Sequence, residues 1–240
     1  MTTTDAPATT HVVLVPGFWL GAWAWDDVVP VLRDAGLTPH AVTLPGLESP
    51  DADRSAVTLD GHVAAVRDLV DGLAGDVVLV GHSGGGAVVQ MVTDQRPGRI
   101  RRVVYVDSGP VLDGVALHTG DPSADLPLPS WPELEAQGSS LDGLDDSALA
   151  RFRERAVPQP GGVATAPVRV ADERRLAVPT TVICTSLPSA VLQELIAAGR
   201  MPAELPGYAD VTYVDLPTGH WPMLSVPADL GAAIAAAATR

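Results

Sequence analysis

Apolar and polar residues fall along this chain in blocks of two kinds. Some are short unbroken apolar runs rich in β-branched residues, and others are longer stretches with apolar positions at helical spacing. The short runs are HVVLV at 11–15, DVVLV at 76–80, RRVVYV at 101–106, TTVICT at 180–185 and VTYVDL at 211–216, with a further strand expected over TPHAVTL at 38–44. Such runs read as strands buried on both faces, the condition of a parallel sheet. Helical spacing appears over 22–35 (Trp25, Val28, Val29, Leu32), over 58–73 (Leu59, Val63, Val66, Leu69, Val70) and, rich in alanine, over 228–239. Strand, helix and strand joined by short connections make parallel βαβ units, so the pattern predicts an α/β chain with a doubly wound, mostly parallel sheet.

Between 107 and 179 the pattern breaks. Proline, glycine, serine and acidic residues accumulate (DPSADLPLPSWPELEAQGSS), with short helical pieces at 131–137 and 146–155. A stretch this long inside a compact domain reads as an inserted cap that selects substrates. The expected organisation is a frayed tail at 1–10, a first core part at 11–107, a small helical cap at 108–178 and a second core part at 179–240.

The 240 residues suit one domain with an insertion. A net charge of -14 repels phosphate backbones and anionic membrane surfaces, which argues against nucleic acid and membranes as partners. All 15 positive charges are arginine, so neither a lysine Schiff base nor a P-loop of the usual kind is available. The single cysteine, Cys184, lies in an apolar run and reads as core. The opening MTTTDAPATT has neither the basic segment nor the apolar stretch of a signal peptide, and no apolar run reaches the ~18 residues of a membrane span. A cytoplasmic location is the expectation. The oligomeric state is open, a homodimer among the options.

The stretch richest in chemistry is DVVLVGHSGGGAVVQ. Gly81-His82-Ser83-Gly84-Gly85 fits G-x-S-x-G, in which a serine sits on a strained strand-to-helix corner with its hydroxyl exposed. The bare pattern is common in loops, but here an apolar strand precedes it and a helix-compatible run from Gly86 follows. Glycine is needed on both sides, because a side chain there would strike the neighbouring strand or helix. The helix N-terminus aimed at the serine favours a developing oxyanion.

A serine hydroxyl needs a base, and histidine has the pKa for that work. Of the six histidines, His11 and His40 lie in strands, His62 in a helix, His82 on the elbow and His118 in the insertion. His220, in LPTGHWPML, follows the last strand, where an open α/β sheet presents functional groups. A carboxylate should orient that imidazole. Asp107, ending the strand at 101–106, is the first candidate, Glu194 and Asp113 are the alternatives, and a turn cap at Ser108-Gly109-Pro110 is the competing role for Asp107. Two backbone N–H groups would hold the oxyanion: Gly84, and Phe18 after the first strand, with Trp19 next. Trp19, Trp131, Trp221 and Met223 are candidate linings of an apolar substrate pocket.

These residues resemble the α/β-hydrolase superfamily over nearly the whole chain. VVLVPGFWLGAWAWDDVVPVL, LVGHSGGG and TGHWPML are similar to the opening, nucleophile and histidine motifs of the group holding plant methylesterases and hydroxynitrile lyases. The resemblance implies the α/β-hydrolase fold, a triad of Ser83, His220 and Asp107, an oxyanion hole at Phe18 and Gly84, and no metal or organic cofactor. There are two departures. Pro16 stands where many relatives have histidine, and the acid those relatives carry after the penultimate strand is absent. Placing it one strand earlier, at Asp107, is similar to haloalkane dehalogenases and zearalenone-type lactonases, while serine rather than aspartate at 83 argues against dehalogenase and epoxide hydrolase chemistry. The expected activity is hydrolysis of small carboxylic esters or lactones. The alternatives are a lyase using the same serine and histidine, disfavoured by the missing lysine, and a hydrolase-like ligand-binding protein.

Overall fold

A computed structural model describes residues 9–240. Most of the expected tail lies outside the described residues, and Thr10 already opens the first strand. Strands β1 (Thr10–Val15), β2 (Thr38–Ala41), β3 (Asp76–His82), β4 (Ile100–Val106), β5 (Thr180–Cys184) and β6 (Val211–Asp215) form one sheet in the order β2-β1-β3-β4-β5-β6, every pair parallel. The chain steps from β1 outward to β2 and then returns to β3 on the other side. The carboxyl ends of β1 and β3 therefore flank the point where winding reverses, the place where such sheets bind ligands.

Connections run through α1 (Val29–Asp34), α2 (Leu59–Gly72) and α3 (Gly85–Gln95). The 22–35 stretch is not one helix. It forms a 3-10 turn at Ala22–Trp25 and then α1, because Pro30 lacks an N–H and is accommodated only in a first turn. The strand expected over 38–44 stops at Ala41, and beyond it the Thr43 hydroxyl accepts the Ala22 amide at 2.9 Å. Thr58 caps α2, its hydroxyl accepting from Gly61 at 3.1 Å.

The core has two layers, one per sheet face, because successive strand side chains point to opposite sides. Val13, Val15, Val77, Leu79, Val103 and Tyr105 pack with α2 and α3, while Val12, Leu14, Val78, Val80, Val104 and Val106 face Trp25 and Leu32. Between β4 and β5 the chain carries α4 (Trp131–Ala136), α5 (Asp146–Arg155), α6 (Gly161–Ala164) and a 3-10 turn at Glu173–Ala177. Phe152 of α5 is fully buried and fastens this connection to the core, its ring 5.1 Å from Trp221 and 5.6 Å from Trp131.

After β5 comes α7 (Ser189–Ala197), to which the sequence reading assigns no helix. Pro188 ahead of a run of good helix formers is the signal that marks it. The chain ends in α8 (Pro222–Ser225) and α9 (Pro227–Ala238), whose Leu230 and Ile234 join the layer of Trp25. Among the described residues no helix is long and apolar enough to cross a membrane.

Candidate active site

Register decides what meets at the carboxyl edge of the sheet. Val15 pairs with Gly81 and His82 with Val106, so the turn after β1, the corner after β3 and the residue after β4 stand side by side. The corner is as tight as its glycines imply. A Cβ on Gly81 would come 2.6 Å from Val89 Cγ2 and 2.8 Å from the Gly85 carbonyl oxygen. Among the described residues only Trp19, Ser83 and Asp107 have positive φ without being glycine, at 65°, 48° and 42°. All three follow a strand end on this edge, and such strain persists only where the surroundings over-determine the backbone.

Ser83, His220 and Asp107 form one hydrogen-bonded line. His220 Nε2 lies 2.9 Å from Ser83 Oγ, and His220 Nδ1 lies 2.6 Å from Asp107 Oδ2. An ionised carboxylate can only accept, so Nδ1 carries the ring proton and Nε2 presents a lone pair to the serine hydroxyl. The Asp107 side chain is 12% exposed and that of His220 17%. Burial works against ionisation of Asp107. The hydrogen bond from His220, the positive charge of that ring when it is protonated, and donors from Ser186 and Thr185 outweigh it and hold the carboxyl well below the usual carboxylate range. Those donors are the Thr185 and Ser186 amides at 3.2 and 3.1 Å and the Ser186 hydroxyl at 2.6 Å. Asp107 thus bonds across the sheet rather than capping the turn that follows it. Asp113 accepts the Val170 amide and Glu194 is exposed on α7, and neither is hydrogen-bonded to His220.

Three supports have no signature in the sequence, because each joins residues far apart in the chain. Ser108 Oγ donates to the Ser83 carbonyl at 2.7 Å. His82, fully buried, donates from Nε2 to the His220 carbonyl at 2.7 Å, and its Nδ1 is buried without a partner. Burial, with His220 beside it, pushes the His82 imidazole far below its ordinary pKa, so it stays neutral. The connection after β4 holds the histidine loop by its backbone, the His220 amide donating to the Ser140 carbonyl at 2.8 Å and Gly219 to Asp142 at 2.9 Å.

Ser83 and His220 open into a cleft of about 450 Å³ whose walls include Phe18, Trp19, Leu117 and Leu126. Phe18 lies against the start of α3, where a Cβ on Gly84 would come 2.5 Å from its ring carbons. The Trp19 indole donates to the Leu126 carbonyl at 3.0 Å, which ties the β1 turn to the inserted connection. Three expected pocket residues lie elsewhere. Met223 and Trp221 are 0% and 1% exposed within the core, and Trp131 packs between Phe152 and Arg153. Apolar bulk beside a site motif served here to anchor loops, a role that its position in sequence does not distinguish from pocket lining. Of the other histidines, His11 pairs with His40 at 2.9 Å, His62 bonds the Pro45 carbonyl at 2.8 Å, and His118 lies exposed in the wall of the Ser83 cleft. Cys184 is buried, and burial first, with Asp215 and Asp107 next, pushes its thiol up to about 12. Among the described residues no group of three or more His, Cys, Asp or Glu could hold a metal.

An open parallel sheet with a serine on the corner after β3, facing an aspartate from the end of the neighbouring β4 and a histidine from the loop after the edge strand β6, defines a class of hydrolase-like folds. The family model described as "Alpha/beta hydrolase family" matches residues 12–233. A carbendazim hydrolyzing esterase of Nocardioides is 30% identical over 94% of this chain and 98% of its own length. A pyrethroid hydrolase of Sphingobium wenxiniae is 27% identical over 94% of this chain and 86% of its own length. Among solved structures, a pyrethroid hydrolase from Sphingobium faniae superposes with a TM-score of 0.71 at 25% identity, covering 96% of this chain and 98% of that one. The Arabidopsis methylesterase MES16 gives 0.70 at 22% identity over 96% and 99%, a likeness of fold. The chain belongs to the alpha/beta hydrolase family.

Proposed function

We propose that this protein is a serine hydrolase of small carboxylic esters or lactones, acting through an acyl-enzyme on Ser83. The observation that carries the proposal is the unbroken hydrogen-bonded line from Ser83 Oγ through His220 to Asp107. The esterase and pyrethroid hydrolase names of the relatives aligned along most of the chain support the same reaction. Ser83 Oγ attacks the substrate carbonyl as His220 Nε2 takes its proton, and Asp107 orients and stabilises the imidazolium that forms. The amides of Phe18 and Gly84 hold the oxyanion, with the N-terminus of α3 adding its dipole. Collapse of the tetrahedral intermediate breaks the ester C–O bond, and His220 returns the proton to the leaving alkoxide. Water then enters by the same route in reverse order, its proton passing to His220 and back to Ser83 as the acid is released. The connection at 108–178 acts as a cap that selects substrates.

A fluorophosphonate probe is expected to label Ser83 stoichiometrically and rapidly, with p-nitrophenyl acetate hydrolysis lost in step. A folded protein that resists the probe, or one labelled at another residue, would overturn the proposal.

A further inference from the structure

Two cavities meet at His220. One is the cleft over Ser83. The other, of about 550 Å³, lies behind Asp107 between the start of the β4–β5 connection and α7. Gln137, Ser139 and His220 belong to the walls of both, so residues 137–139, at the end of α4, form a partition between them. Within that partition Gln137 and Gly138 are exposed, and Ser139 is half-buried.

The two compartments differ in chemistry. The Ser83 side carries His118, Asp121 and Asp125. The second compartment is faced by Leu192, Leu195, Ile196, Met201 and Leu205, over the β5 residues Val182 and Cys184. Among the described residues, Asp107 is the only acidic or basic side chain around it apart from His220, and both Asp107 oxygens are already engaged by His220, Ser186 and the Thr185 amide. No charge is left there to recognise an ionic ligand. At the same time α7 buries none of its nine residues, although four of them are Val, Leu or Ile, and Met201 beyond it is 37% exposed. Apolar surface of this kind gains from contact with an uncharged apolar group. The volume falls within the range of small-molecule sites.

We propose that the cavity behind Asp107 is a second substrate compartment, which receives a large uncharged hydrocarbon arm of the ester reacting at Ser83. The arm crosses from the cleft over residues 137–139. This inference rests on the reading of Ser83 as nucleophile and adds the substrate class: esters with one compact side and one bulky apolar side.

Leu195→Trp fills the compartment from α7, and Met201→Asp places a charge on its exposed rim where folding is not at stake. Both variants are expected to lower kcat/KM for p-nitrophenyl decanoate by ~10-fold or more while p-nitrophenyl acetate stays within about twofold. Separately, 1-decanol is expected to raise the melting temperature of the unmodified protein and to raise that of the variants less. Parallel changes with acetate and decanoate, or equal protection by decanol in all three proteins, would overturn the compartment. Absence of fluorophosphonate labelling alongside variant-sensitive decanol protection would overturn the hydrolase reading and retain the compartment as a binding site for apolar alcohols.

Discussion

Helices α3 and α7 do the same topological job and are packed in opposite ways. Each follows a strand whose end contributes to the site, and each crosses over to the next parallel strand. In α3 every residue from Gly85 to Thr93 is buried, and its start is pressed against the end of β1 and the turn after it, Phe18 included. In α7 no residue is buried, and a cavity lies against it. The difference follows from what each helix must hold. In the proposed mechanism Ser83 and the Gly84 amide work only in one position, which accords with α3 being clamped in the core. What β5 supplies to the site is two amides and a hydroxyl on Asp107, all placed before Pro188, and nothing downstream needs the same accuracy. Tight packing goes with the helix that holds Ser83, and looseness with the helix that borders the second cavity.

The sharpest test of this contrast removes the group that α3 positions. Ser83→Ala should lower turnover by ~10⁴-fold or more, read as single-turnover ester hydrolysis, with the melting temperature nearly unchanged. Next, Asp107→Asn should cost about 10³-fold or more in kcat, because the imidazole loses the acceptor that sets its tautomer. Glu194→Gln on α7 should change kcat by no more than about twofold. If Glu194→Gln proved the costlier of the two, the acid would lie on the α7 side and the comparison would fail.

Stability should split the same way. A Cβ on Gly85 would meet the Val15 and Pro16 carbonyl oxygens at 2.6 Å, backbone that cannot swing aside, so Gly85→Ala should cost ~3 kcal/mol. Leu192→Ala on half-buried α7 should cost about 1 kcal/mol. Urea unfolding of both variants measures the difference.

The remaining effect is one of pH. His82 stays neutral in the folded protein well below the pKa near 6.5 of an unfolded histidine, so below that pH the unfolded chain binds a proton that the folded one does not. Its contribution is complete above about pH 6.5 and is lost as pH falls toward the folded value, with a slope of at most ~1.4 kcal/mol per unit. His82→Gln should flatten the decline of stability between about pH 6.5 and 4. Cys184, under α7 with its thiol pushed up to about 12, gives the contrasting case: Cys184→Ala should leave that profile unchanged.

The sequence and the tertiary structure divide this molecule along a physical line. Local pattern was enough for the parallel α/β fold and the places of all six strands, four of them to within a residue at each end, and it put forward Ser83 and His220, whose Oγ and Nε2 lie 2.9 Å apart. Buried strands and a strained glycine-flanked corner write their requirements into adjacent residues. Asp107 was the first candidate for the acid, ahead of Glu194 and Asp113, with a turn-capping role in competition. What distinguishes it is sheet register, which sets β4 and β5 side by side so that Ser186 and Thr185 can reach its carboxylate. The buried placement of Trp221 and Met223, the His82 bond to the His220 carbonyl and the cavity under α7 were decided by tertiary structure alone. Each depends on contacts between segments many residues apart, and the free energy of such contacts is a property of how the layers stack, which no local spacing encodes.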